Sequence, residues 1–422
     1  MLMLSAAEAE RLIFALTAPI CEVETVSLSS LSSAQGMGCL GRVLAAPVTS
    51  TLDFPHWDNS AMDGYAVRAA DVQTVPKTLA IVEEIPAGMS PTKTVEANQA
   101  ARILTGAMMP AGADTVVMQE ETERSAEAVT ILQVPQPNAF VRKQGSFYRA
   151  GDELLSAGRV IAPAEMAILA AAQQTQLQVY RRPRVAILST GSELVRPDQP
   201  LGAGQIVDSN QVALAALVAQ TGALPIPLGI VVDDRSAVKS AIAAALAQAD
   251  VVISTGGVSV GDYDYVDDVL EELGATLHIR AVAVKPGKPL TVADFDGAPS
   301  EAKSSLRKKL YFGLPGNPAS AMVGFWRFVG PTIAKLSGRS GPWAPEFVWA
   351  EAITELTAGG RRETYLWGTL TQTDAGYIFS RAAGVHNSGN LVNLANTTGL
   401  GVVPQGKTKI DAGSAVQVLK IR

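Results

Sequence analysis

Carboxylates set beside glycine-rich turns are the feature of this 422-residue chain that most suggests chemistry. The fullest case is Ser254-Thr255-Gly256-Gly257-Val258-Ser259-Val260-Gly261-Asp262-Tyr263-Asp264. Three glycines and three hydroxyls after a strand can bring several donors close to one anion. Carboxylates repel phosphate, so Asp262 and Asp264 point to a Mg²⁺ held between the two. The plainer reading is a glycine-rich turn with Asp262 capping a helix. Four more polar segments follow predicted strands: Thr190-Gly191-Ser192-Glu193, Asp233-Asp234, Lys285-Pro286-Gly287-Lys288-Pro289, and Gly313-Leu314-Pro315-Gly316-Asn317-Pro318. Prolines stiffen the two lysines into a turn suited to oxyanions, and Asn317 opens a helix whose N-terminus favours negative charge. A polar run, Asp58-Asn59-Ser60-Ala61-Met62-Asp63-Gly64-Tyr65, is denser in acids and amides than packing needs, although turn chemistry would use the same residues.

These residues need elements to hold them. Val251, Val252 and Ile253 read as a strand buried on both faces, as in a parallel sheet. Around it, Val185 to Ser189, Ile226 to Val232, Leu277 to Val284, Leu290 to Ala293 and Lys308 to Phe312 read as strands. Asp208 to Gln220, the segment after Asp233-Asp234 as far as Gln248, Tyr265 to Leu273 and the segment from Pro318 towards Leu336 read as helices. This alternation predicts a three-layer, mostly parallel α/β domain over residues 181–338, with ligands outside the carboxyl ends of the strands. A capping box at Ser5-Ala6-Ala7-Glu8 opens an N-terminal helix that Pro19 ends. The expected divisions are residues 1–46, a β-rich insertion at 47–145, a return at 146–180, and a small C-terminal β domain, barrel-like, at 339–422.

Composition narrows the function classes. Hydrophobic residues make up 47% and charged residues 18%, which describes a soluble globular chain of several domains. No apolar run approaches the roughly 20 residues of a bilayer span, and the start does not read as a signal peptide. Two cysteines and three histidines argue against a disulfide framework and a His-ligated metal, and favour the reducing cytoplasm. A net charge of −6 argues against nucleic-acid binding. His386, alone in a polar cluster, is expected to be a surface-loop residue.

Asp58-Asn59-Ser60-Ala61-Met62-Asp63-Gly64-Tyr65-Ala66, Thr105-Gly106-Ala107, the Ser254–Gly261 loop, Lys285–Pro289 and Gly313–Pro318 together resemble the motifs of the molybdopterin molybdenumtransferases. This is the MoeA family, which includes the E domain of gephyrin, and the resemblance spans nearly the whole chain. It implies an elongated homodimer of multi-domain subunits with shared active-site clefts. The α/β domain would bind adenylylated molybdopterin, and molybdate would be inserted with Mg²⁺-dependent release of AMP. Catalytic roles would fall to Asp63, Glu193, Asp233 (or Asp234) and Asp264, with Glu193 and Asp264 on the metal. Substrate-binding roles would fall to Thr105, Thr190, Asp208, Ser209, Asn210, Gly256, Gly257, Ser259, Gly261, Lys285, Lys288, Pro315 and Asn317. Arg362 and Ser388 would hold molybdate. Partners implied are a molybdopterin adenylyltransferase and the molybdoenzymes that receive the cofactor.

Three positions depart from the family pattern. Gly145-Ser146-Phe147 stands where Gly-Glu-Asp is usual, Trp367 where an arginine is common, and His386 where Gln is frequent. The alternatives are an adenylyltransferase, which needs only one such α/β domain, and a catalytically weak pterin-binding or scaffold relative. The retained acids favour an enzyme, and Phe147 and Trp367 favour the scaffold.

Overall fold

The structure is a computed structural model that describes residues 3–28, 38–256, 265–296, 307–384 and 386–421. The chain divides into two compact units. One comprises residues 1–46, 157–162 and 176–422, and the other 47–156 and 163–175.

The first unit is built on a six-stranded sheet. Its order is Leu224–Val231, Arg184–Thr190, Val251–Thr255, Lys309–Leu314, Pro289–Phe295, Ala275–Ala281. The first four strands are parallel, and Pro289–Phe295 runs antiparallel to both its neighbours, Lys309–Leu314 and Ala275–Ala281. Side chains alternate across a strand, and the strands inside the edge strand Leu224–Val231 each feed two cores. Ile187, Ile253 and Phe312 enter one, with Leu214 and Val218 of helix Ser209–Gln220 and Ile333 of helix Gly330–Leu336. Ala186, Leu188 and Val252 enter the other, with Ile242 of helix Arg235–Gln248 and Leu270 of helix Val266–Glu272. Val251, Val252 and Ile253 are fully buried, each contributing roughly 1.5–3 kcal/mol. The expected three-layer architecture is present.

The N-terminal helix, Ala6–Leu16, carries the capping box: Glu8 N donates to Ser5 Oγ (3.2 Å) and Ser5 N donates to Glu8 Oε2 (2.9 Å). The helix that begins at Pro318 is interrupted: Pro318–Gly324 and Gly330–Leu336 are α-helical, and Phe325–Val329 between them is a π-turn.

Beyond it, Glu363–Thr373, Gly376–Arg381, Phe347–Ala352, Ala415–Lys420 and Gly399–Val403 pair in that order, and the last pairs back to the first, closing a five-stranded barrel. A two-residue strand, Val284–Lys285, adds to its edge in parallel, with Lys285 opposite Thr364. The α/β domain and the barrel are therefore joined by backbone hydrogen bonding at the lysine turn.

The second unit is centred on a sheet ordered Thr115–Met118, Gly64–Val67, Gln99–Ile103, Lys77–Ile85, Ala128–Ile131, Thr122–Arg124. Gly64 lies where a Cβ would come 1.9 Å from the Val117 carbonyl oxygen, so no larger residue fits that ladder.

Candidate active site

The carboxyl ends of the parallel strands open onto a cavity of about 610 Å³ lined by Thr190, Glu193, Asp208, Ser209, Asn210, Thr255, Gly256, Pro315, Gly316 and Asn317, among others. The fold places each for a local reason. Asp208 caps helix Ser209–Gln220 by accepting from Gln211 N (3.1 Å), and Asn210 Nδ2 donates to the Gly316 carbonyl (2.7 Å), fixing the turn before Asn317. Both are buried and already partnered, so they shape the wall. Glu193 is exposed, and among the described residues its carboxylate has no hydrogen-bond or ion-pair partner. Its oxygens lie 2.7 and 2.8 Å from where a Cβ on Gly191 would stand, so the glycine leaves it room.

Gly256 closes the floor. Its φ is +85°, and a Cβ there would come 2.2 Å from the Thr190 carbonyl oxygen. We expect Gly256→Ala to cost about 2–4 kcal/mol from the left-handed backbone and the backbone clash, lowering the melting temperature by several degrees in calorimetry. An unchanged melting temperature would contradict this account of the floor.

A second cavity, about 600 Å³, shares Pro289, Pro315 and Asn317 with the first. Lys285, Lys288, Arg362, Arg381, Ser320 and Ser388 line it, and no acid does among the described residues. The parallel pairing of Val284–Lys285 with the barrel brings Arg362 beside the lysine turn, where its guanidinium donates to the Val284 carbonyl (3.1 Å). The Ser388 carbonyl accepts from Ala319 N (3.0 Å), tying the barrel loop to the first turn of helix Pro318–Gly324. The ammonium groups of Lys285 and Lys288 are exposed with no ion-pair partner among the described residues. One cleft thus has a wall carrying Glu193 and a second chamber carrying four cations.

Other expected residues lie elsewhere. Asp233 is outside both linings and accepts from the Tyr265 phenol (2.5 Å), while burial and that carboxylate push the phenol's pKa up. Asp234 caps helix Arg235–Gln248, accepting from Ser236 N and Ala237 N. Gly257, Ser259, Gly261, Asp262 and Asp264 lie outside the described residues.

In the second unit, the Asp63 carboxylate accepts from both the backbone N and the hydroxyl of Thr105 at 2.7 Å, and these bonds hold its pKa below the usual aspartate range. Both residues are exposed. Asp58 instead accepts from Lys143 Nζ and Gln144 N, and Ser60 bonds the Met62 backbone. In that polar run Asp58 and Ser60 hold the loop, and Asp63 is the presented carboxylate.

Arg381 and Ser320 were absent from the sequence expectations. Ser320 lies three residues beyond Asn317 and so on the same end of its helix, a spacing that carries the signal. Arg381 ends a strand paired opposite Gly368, a register that nothing in the sequence reveals. His386 differs from its expected place at the surface. It is half-buried and stacked on Trp367, ring centroids 4.4 Å apart, because Nε2 is held at 2.8 Å by the Ala382 carbonyl.

A Mg²⁺ takes few protein carboxylates and shares substrate phosphate oxygens. Among the described residues no three His, Cys, Asp or Glu side chains cluster as a metal cage. Unpartnered Glu193 in an open cavity fits such a substrate-shared ion and not a closed structural one.

The chain matches three family models in order: "MoeA N-terminal region (domain I and II)" over residues 4–173, "Probable molybdopterin binding domain" over 186–335, and "MoeA C-terminal region (domain IV)" over 350–421. It is 56% identical over 385 residues to a molybdopterin molybdenumtransferase of Nostoc sp., covering 90% of this chain and 86% of that protein. It is 34% identical to one of Haemophilus influenzae, covering 89% and 90%. Two solved structures of a molybdopterin biosynthesis MoeA protein from Pyrococcus horikoshii align over all of both chains, with TM-scores of 0.82 and 0.79 at 25% and 27% identity. With the barrel, the lysine turn and the two-chambered cleft in place, the chain belongs to the MoeA family of molybdopterin molybdenumtransferases.

Proposed function

We propose that this protein inserts molybdate into adenylylated molybdopterin in molybdenum cofactor biosynthesis, releasing AMP. The observation that carries the reading is the continuity of the two chambers through Pro289, Pro315 and Asn317. A pterin nucleotide laid along them would set its diphosphate near Glu193 and its dithiolene near the four cations.

The residues divide the work. Gly256, Thr190 and the backbone around Asn317 receive the nucleotide. Lys285 and Lys288 offset diphosphate and oxoanion charge before any bond to phosphorus is made. Arg362 and Ser388 orient molybdate, a dianion best held by charged and hydroxyl donors. Glu193, with Asp264, would hold Mg²⁺, which supplies charge neutralisation at the diphosphate when bound. In a homodimer, Asp63 and Thr105 would complete the cleft of the opposite subunit, with Asp63 orienting the attacking water. No helix among the described residues is long and apolar enough to cross a membrane, and we place the reaction in the cytoplasm, between an adenylyltransferase and the recipient molybdoenzymes.

The test supplies purified protein with adenylylated molybdopterin, Mg²⁺ and molybdate, and measures AMP. Molybdate-dependent AMP release is expected, and the Lys285→Met/Lys288→Met double variant should lower kcat/KM by about a hundredfold or more. Binding without turnover would favour a scaffold. ATP-dependent adenylylation of molybdopterin would favour the adenylyltransferase.

A further inference from the structure

Two walls form the cationic chamber. Lys285 and Lys288 come from the α/β domain, and Arg362, Arg381 and Ser388 come from the barrel. The backbone pairing of Val284–Lys285 with Glu363 and Thr364 joins the walls at one edge. A second link is made by side chains alone. Arg327 is 5% exposed, its Nε donates to the Tyr365 hydroxyl (3.0 Å), and its guanidinium pairs with Glu10 of helix Ala6–Leu16. The same guanidinium lies over the ring of Phe347 on another barrel strand, 5.7 Å from its centroid. Tyr365 lines the chamber, and its hydroxyl donates to Glu363 Oε1 (2.5 Å). Burial acts to lower the Arg327 pKa, but Tyr365 and Glu10 outweigh it and the guanidinium keeps its charge. Burial raises the Tyr365 pKa, so the phenol keeps the proton it shares with Glu363.

Arg327 stands in the π-turn Phe325–Val329. Gly330 N donates to the Phe325 carbonyl five residues back, and Pro331 offers no N–H to the Arg327 carbonyl four residues back. The widened turn sets a charged residue among buried Phe325, Phe328 and Val329. A buried pair of this kind gives little net stability over apolar residues of the same volume. Apolar packing tolerates sliding between two domains, however, whereas hydrogen bonds fix direction. We propose that Arg327 is a positioning residue for the cationic chamber: through Tyr365 it fixes the barrel wall carrying Arg362 against the lysine turn, so that both walls hold one oxoanion. The proposal rests on the oxoanion reading of that chamber. Thr364, next to Tyr365, is paired opposite Lys285, so a shift of Tyr365 disturbs the walls where they meet. In the neighbouring chamber Glu193, Thr190 and Gly256 all belong to the α/β domain, so nucleotide binding there does not depend on how the barrel is seated.

The experiment measures binding of sodium molybdate and of AMP to the whole protein by calorimetry, in the native chain and in Tyr365→Phe, Arg327→Met and Glu10→Gln. Tyr365→Phe keeps the ring and its packing, so it tests the bond even if Arg327→Met fails to fold. We expect both to weaken molybdate by about tenfold, the size of effect for losing one bond to a charged group, and to leave AMP affinity unchanged. In turnover, Tyr365→Phe should raise KM for molybdate and keep kcat. Glu10→Gln keeps the bond from Arg327 to Tyr365, so it should lower the melting temperature and leave molybdate affinity unchanged. A purely structural cluster would lower stability in all three variants without this split between molybdate and AMP. Native protein that binds molybdate, with Tyr365→Phe and Arg327→Met binding it equally well, would overturn the inference alone. So would loss of molybdate and AMP together, or an equal loss of molybdate in Glu10→Gln. Native protein that binds no molybdate would overturn the oxoanion reading and the inference together.

Discussion

Glu193→Gln is expected to leave the fold intact and to reduce molybdate-dependent AMP release by roughly a hundredfold to a thousandfold. The side chain is exposed and unpartnered among the described residues, so an isosteric amide should change the melting temperature by less than about 1 °C. Its value lies in its charge. As a carboxylate that would hold Mg²⁺, it would help offset the charge of the reacting diphosphate, and removing one such electrostatic contribution typically costs about a hundredfold to a thousandfold in rate. Steady-state assays across Mg²⁺ concentrations read it directly: added metal should recover part of the loss if Glu193 acts through Mg²⁺. Turnover equal to the native protein would remove Glu193 from the mechanism.

The arrangement behind that prediction was unevenly legible. Val251 to Ile253 read correctly as a doubly buried strand, because three consecutive β-branched residues leave little else to form, and the rest of the α/β alternation followed. Residues placed by local rules could be found by spacing: the Asp233-Asp234 pair ahead of a helix, and Ser5 with Glu8 as a capping box. Residues placed by long-range pairing could not. Arg362 meets the lysine turn only because Val284–Lys285 adds to the barrel edge, a contact across 78 residues. Likewise His386 reads as a loop residue until the barrel sets Trp367 beneath it. Of the two aspartates after strand Leu224–Val231, spacing left both open. The structure gives Asp234 to the helix and Asp233 to Tyr265, so neither lines the described cleft. The loop with Asp264 lies outside the described residues, and its part in the proposal rests on the sequence.

Asp250 shows a residue that motif reading passes over and the fold depends upon. It immediately precedes strand Val251–Thr255 and is 6% exposed. Its carboxylate accepts from Arg181 (2.8 and 3.1 Å), from Arg307 (2.6 Å) and from Arg184 N (2.8 Å). Its backbone pairs with Arg184 and Leu310. One side chain thus joins the amino ends of three neighbouring parallel strands, whose opposite ends carry Thr190, Gly256 and Pro315. We expect Asp250→Ala to destabilise by about 3–5 kcal/mol, since it removes the buried partner of two partly buried guanidinium groups, lowering the melting temperature by about 5 °C. Glu22→Gln, an exposed partner of the same arginines, should cost less than about 1 kcal/mol. The pH dependence has a definite sign. Burial acts to raise the Asp250 pKa, but the bonds from Arg181 and Arg184 N and the charge of Arg307 outweigh it and hold the pKa below the usual value. Asp250 therefore contributes fully above the unfolded pKa of about 3.9 and loses its contribution as pH falls through the lower folded value. Melting curves of native protein and Asp250→Ala should stay a constant distance apart above about pH 5 and converge only in stronger acid. Curves already converged at neutral pH would show that the strand ends are held by something other than this carboxylate.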